Sequence, residues 1–124
     1  MTEANKDVVR RAYQVYVTGD LEALDELVAA DYVDHNPVPG QGAGLAGVKR
    51  KIADTREQLG GIVLDVADQI AEGDRVASRM VVSGRHVSGR DVTLELIAIS
   101  ELASGKIVAE WGIADTAGLM AQLS

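Results

Sequence analysis

A handful of polar side chains stand where acid–base chemistry could use them. Asp34, His35 and Asn36 are adjacent within YVDHNPVPGQG (Tyr32 to Gly42), His86 closes one β-rich run and Asp115 closes another. Side chains alternate between the faces of a strand, so Ile107, Ala109, Trp111, Ile113 and Asp115 are expected to share one face. Asp115 then ends an apolar row that contains the one Trp of the chain. If helices cover that face, desolvation raises the carboxyl pKa and makes Asp115 a usable general base. The competing reading is a helix cap, because Thr116-Ala117-Gly118 follows and Asp is favoured at such positions.

The histidines carry the same two readings. His86 falls on the face of Val76, Ser78, Met80 and Val82, either lining a cavity or satisfying a nearby backbone group. His35 and Asn36 precede Pro37, and Asx-Pro turns recruit polar residues for backbone reasons. No metal site is expected, since only two His are present and neither an H-x-x-x-H nor an H-E-x-x-H pair occurs. The absence of Cys removes thiolate sites and disulfides. Arg79 and Glu95 face either a cavity or solvent, with a surface cross-strand pair as the default, and Lys49-Arg50-Lys51 reads as a solvated helix face. Gly40, Gly42, Gly44 and Gly47 lack the Gly-Lys-Ser/Thr of a phosphate loop, and no G-x-S-x-G elbow occurs.

The elements that must position these residues follow from periodicity. Val8, Val9, Ala12, Tyr13, Val15 and Tyr16 form one helical stripe that Gly19 ends. A shorter helix fits Leu21 to Ala29 with Asp20 as its cap, and an extended segment runs to Pro37. A third helix fits Leu45 to Leu59. Beyond Gly60-Gly61 come β-rich runs at Ile62 to Ala71, Arg75 to His86, Asp91 to Leu102 and Lys106 to Ala114. Their short Gly-containing separators predict an antiparallel meander, and a helical turn over Thr116 to Leu123 closes the chain. The order predicts one α+β domain over 1–124. A formal charge of −7 argues against nucleic acid or an anionic membrane as partner. The charged N-terminus lacks the apolar run of a signal peptide and no stretch is long enough to span a bilayer, so a cytoplasmic location is the default expectation.

Three stretches, DYVDHNPVPGQGAGLAGVKRKI, IAEGDRVASRMVVSGRH and SGKIVAEWGIADTAGLMAQL, resemble the SnoaL-like polyketide cyclases of the nuclear transport factor 2-like and ketosteroid isomerase-like superfamily. The resemblance implies a cone-shaped, curled antiparallel sheet covered by N-terminal helices, an α+β barrel with a hydrophobic cavity. It implies cofactor-free acid–base chemistry: an Asp matching Asp115 removes an activated proton and the ring closes by intramolecular aldol addition. His35 and His86 match cavity histidines, while Trp111, Met80, Asn36, Tyr16 and Tyr32 are implied as substrate contacts. The implied partners are a small hydrophobic substrate and a second copy in a homodimer. The chain has no Phe and carries Leu59-Gly60-Gly61 where many relatives have Pro-Asp, which leaves a smaller or more aliphatic ligand as open as a polyaromatic one. Other activities of the superfamily also remain open: an isomerase with Tyr16 as donor, an epoxide hydrolase (though Arg79-Met80-Val81 lacks R-x-D), a hydroxylase, or a non-catalytic binding protein.

Overall fold

The structure, a computed structural model, describes residues 2–124. Helix α1 (Thr2–Thr18) is followed by a short 3₁₀ helix (Leu21–Glu26), strand β1 (Val28–Asp34) and helix α2 (Gly44–Gln58). Four long strands come next, β2 (Leu59–Glu72), β3 (Arg75–His86), β4 (Asp91–Ala103) and β5 (Lys106–Ala114), before a terminal helix α3 (Thr116–Leu123). The helix expected to reach Ala29 stops at Glu26 as a 3₁₀ turn, because Val28 already pairs with Ile107 of β5. Leu59, expected to end α2, instead begins β2 opposite His86.

The sheet runs β1-β5-β4-β3-β2. Neighbours are antiparallel except β1 and β5, which are parallel, and the sheet curls without closing, so the expected barrel is an open cone. The α1 stripe lies over the inner face: Val9, Ala12 and Val15 pack with Leu24, Val28, Ile52, Val76, Leu102 and Ile107. Each such large apolar side chain contributes roughly 1.5–3 kcal/mol on burial. A second cluster of Leu64, Met80 and Ala98 continues the inner face under Tyr13 and Tyr16.

One irregularity decides which side chains point inward on β5. Leu102 pairs with Ile107 but Glu101 pairs with Ala109, so Val108 is an extra residue, a β-bulge. Ile107 faces the core at 1 % exposure. Past the bulge the alternation is reset, and Glu110 faces inward opposite Ser100. Trp111 and Ile113 then face outward, opposite Ile99 and Ile97. The single shared face expected for Ile107, Trp111 and Asp115 therefore does not exist.

Candidate active site

The inner face holds the polar cluster. The Glu110 carboxylate accepts hydrogen bonds from Tyr32 Oη of β1 at 3.0 Å and Tyr13 Oη of α1 at 3.2 Å, with Ser100 Oγ of β4 as a third donor. Three elements thus converge on one acid of a fourth, β5. Glu110 retains some exposure as a residue, yet its carboxyl group is enclosed. Desolvation raises its pKa above the ordinary 4.5, opposed by the hydrogen bonds from Ser100, Tyr32 and Tyr13 and by the Lys51 charge. Burial also lifts the phenols of Tyr13, Tyr16 and Tyr32, with Glu110 as the next cause in each. Tyr16 lies beside Tyr13, ring centroids 6.2 Å apart and nearly parallel.

A cavity of about 40 Å³ adjoins this cluster, lined by Tyr13, Tyr16, Tyr32, Glu110 and the apolar Val48, Ile52 and Ile107. Lys51, on the same turn of α2, completes the lining. Of the Lys49-Arg50-Lys51 run, only Arg50 is the solvated cation expected: Lys49 pairs with Asp25 at 2.6 Å. Asp34 stands beside Lys51, its carboxylate accepting from Asn36 N at 2.9 Å and Gln41 Nε2 at 3.0 Å.

Asp115 is elsewhere. It is exposed on the outer face and caps α3, accepting from Gly118 N at 2.9 Å. The helices α1 and α2 cover the opposite face, so the dry cavity expected around Asp115 is absent; the bulge and the alternation of β5 put it there. Asp115 borders an open trough of about 660 Å³ with Asn36, Arg79, Glu95, Trp111 and Ile113. Ile97, Ile99 and Ile113 on its floor are 54 %, 40 % and 76 % exposed. Trp111, expected in a cavity wall, stacks on His35 at 4.3 Å and lies 5.1 Å beneath the Arg75 guanidinium. Asn36 accepts from Gly112 N at 3.0 Å, which ties the Asx-Pro turn to β5. Arg79 is bonded on the surface to Asp68 at 2.6 Å, and Glu95, the partner expected, is 4.0 Å away.

The implied residues therefore divide between the faces of the sheet. Met80, Tyr16 and Tyr32 lie inside; Asp115, Asn36, Trp111 and His35 gather outside. His86 lines neither hollow, its Nδ1 bonded within the β3–β4 turn to Ser88. Sequence reasoning missed Glu110, because strict alternation from Ile107 turns it outward. A signal existed: Ser100 interrupts the inward apolar row of β4, and Tyr13 and Tyr32 fall on elements that face the core, donors that call for an acceptor there. Among the described residues, no group of three or more His, Asp or Glu is arranged to hold a metal, and no helix is long and apolar enough to cross a membrane.

An open cone with helices over one face defines the nuclear transport factor 2-like class of α+β folds. Within it, the chain belongs to the SnoaL-like polyketide cyclase family, whose model matches residues 6–123. It is similar to TsrD of Streptomyces laurentii at 27% identity, over 98% of this chain and 96% of that one, with a TM-score of 0.91. IdmH of Streptomyces antibioticus, described as a candidate polyketide cyclase, is 30% identical over 96% and 97% of the two chains, with a TM-score of 0.86. A candidate polyketide cyclase of Bacillus cereus is 26% identical over 97% of this chain and 80% of that one, with a TM-score of 0.91. Among curated proteins, none matches the sequence.

Proposed function

We propose that the protein is a cofactor-independent acid–base enzyme acting on a small carbonyl compound, with Glu110 as its base. The observation that carries this reading is the enclosed Glu110 carboxylate, hydrogen-bonded by two phenols and a hydroxyl beside a cavity. Perturbed carboxylates in clefts mark acid–base sites more often than surface carboxylates do. Glu110 takes a proton from a carbon flanked by carbonyls, breaking C–H, and the electron pair moves onto a carbonyl oxygen as an enolate. Tyr13 or Tyr32 turns its O–H from Glu110 to that oxygen. In a cyclase, the enolate carbon then bonds to a second carbonyl carbon of the same molecule, and the resulting alkoxide recovers the proton from Glu110. Only the reacting end of a substrate fits a space of about 40 Å³, so the remainder extends outside it.

The test needs no natural substrate. Proton–deuterium exchange at the activated carbon of dimethyl malonate, followed by proton NMR, reads the first step alone. Glu110→Gln keeps the size and the acceptor oxygen and is expected to slow exchange by about 10²–10⁴-fold, the usual range for a general base. Asp115→Asn is expected to leave it unchanged. Loss with Asp115→Asn and retention with Glu110→Gln would reverse the assignment.

The trough supports a second reading. Its volume of about 660 Å³ is that of a small-molecule site, and Asp115, Asn36 and Arg79 border its apolar floor. In that reading the outer face binds the ligand, catalytically through Asp115 or as a binding module with no turnover. We also propose that a second copy covers this face in a homodimer, which would desolvate Ile97, Ile99 and Ile113. Light scattering is expected to give twice the chain mass, and a monomer mass contradicts the dimer.

A further inference from the structure

Lys51 is a cation without a tight acceptor at the edge of the cavity. Its side chain is 32% exposed and that of Asp34 only 13%. The nearest carboxylate oxygen, Asp34 Oδ2, is 3.8 Å away, beyond hydrogen-bonding distance. Asp34 is already supplied with donors by the Asn36 backbone and Gln41, so it does not depend on Lys51. Val48, one turn before it on α2, and the adjacent Ile52 line the same cavity as Lys51. The partly exposed ammonium thus borders the cavity that Glu110 also lines, with no acceptor within hydrogen-bonding distance.

We propose that Lys51 is the electrophilic partner of Glu110: it receives the oxyanion that forms when the base removes a proton. This rests on the reading of Glu110 as the base. The C–H bond breaks, the proton goes to a Glu110 oxygen, and the electron pair moves to the substrate oxygen that faces Lys51. The positive charge offsets the negative charge that develops there, while the neutral carbon acid gains little. Lys51 therefore selects substrates whose conjugate base places its charge on oxygen at the cavity mouth. A chain of net charge −7 repels anions overall, so a local cation is the means of holding one.

Nitroethane and its conjugate anion, ethyl nitronate, are small probes for this charge and do not condense with an amine. Binding of each is read from amide shifts of Val48, Lys51 and Ile52 in heteronuclear NMR titrations. The wild type is expected to favour the nitronate by about tenfold or more, as one charge-assisted hydrogen bond provides. Lys51→Met is expected to remove the preference and Lys51→Arg to keep most of it. Equal affinity for the two probes, no nitronate binding, or a preference that survives Lys51→Met overturns the role of Lys51. Nitroethane deuterium exchange, run alongside, separates the two ideas. A rate lost in Glu110→Gln but kept in Lys51→Met leaves Glu110 as base and rejects Lys51. A rate kept in Glu110→Gln rejects the base itself.

Discussion

Glu110 and the three tyrosines form one titrating unit, and the residue scale is where its chemistry can be measured. Each phenol sits above its ordinary pKa of 10.0, first because burial opposes the phenolate and then because Glu110 is close. The sign for stability follows. From about pH 10 the unfolded chain loses phenolic protons that the folded chain keeps, so folding stability is intact below that value and falls as pH rises beyond it. Tyr13, Tyr16 and Tyr32 are the whole tyrosine content. An ultraviolet titration of the folded protein is therefore expected to show no phenolate near pH 10, and then all of it together as the chain unfolds. An ordinary midpoint near 10 for any one tyrosine contradicts the enclosed cluster. At this scale the sequence was half legible. The capping reading of Asp115 needed only the residues that follow it, whereas Glu110 could not be seen to face inward without its strand.

Whether Glu110 faces inward is a property of its strand. The α1 stripe, the extents of the antiparallel strands and the Gly-containing turns were readable, because periodicity and turn chemistry are local properties. The Val108 bulge was not, because an unpaired residue in β5 is defined by the ladder to β4 and by no residue type. It reassigns every side chain from Ala109 to Asp115. The β1–α2 connection is fixed as tightly. Gly44 has φ of +65°, and a Cβ on Gly47 would lie 1.8 Å from the Gly42 carbonyl oxygen. Helix propensity alone favours Gly47→Ala by about 1 kcal/mol. The contact reverses that sign: the variant is expected to be the less stable by about 1–3 kcal/mol in urea denaturation, the range for an overpacked site. A neutral or stabilised Gly47→Ala would show that the loop carrying Gln41, which holds Asp34 beside Lys51, is free to move.

At the scale of the whole molecule, the curled sheet separates two environments. One face is dry, closed by α1 and α2 and carries the carboxylate with the raised pKa; the other is open, apolar and bordered by Asp115. The family and the cone were readable from motifs spread along the chain, but motifs do not say on which side of a strand a residue falls. This is why residues implied as one site divide into two groups, and why Glu110 enters only with the structure. The most direct measurement is the titration of Glu110 by carbon NMR of labelled glutamate side chains in the folded protein, assigned through the signal that Glu110→Gln removes. A midpoint above the ordinary 4.5, reached without unfolding, is expected. A midpoint at or below that value would mean that the hydrogen bonds and the Lys51 charge outweigh desolvation, and would contradict a proton-accepting centre on the inner face.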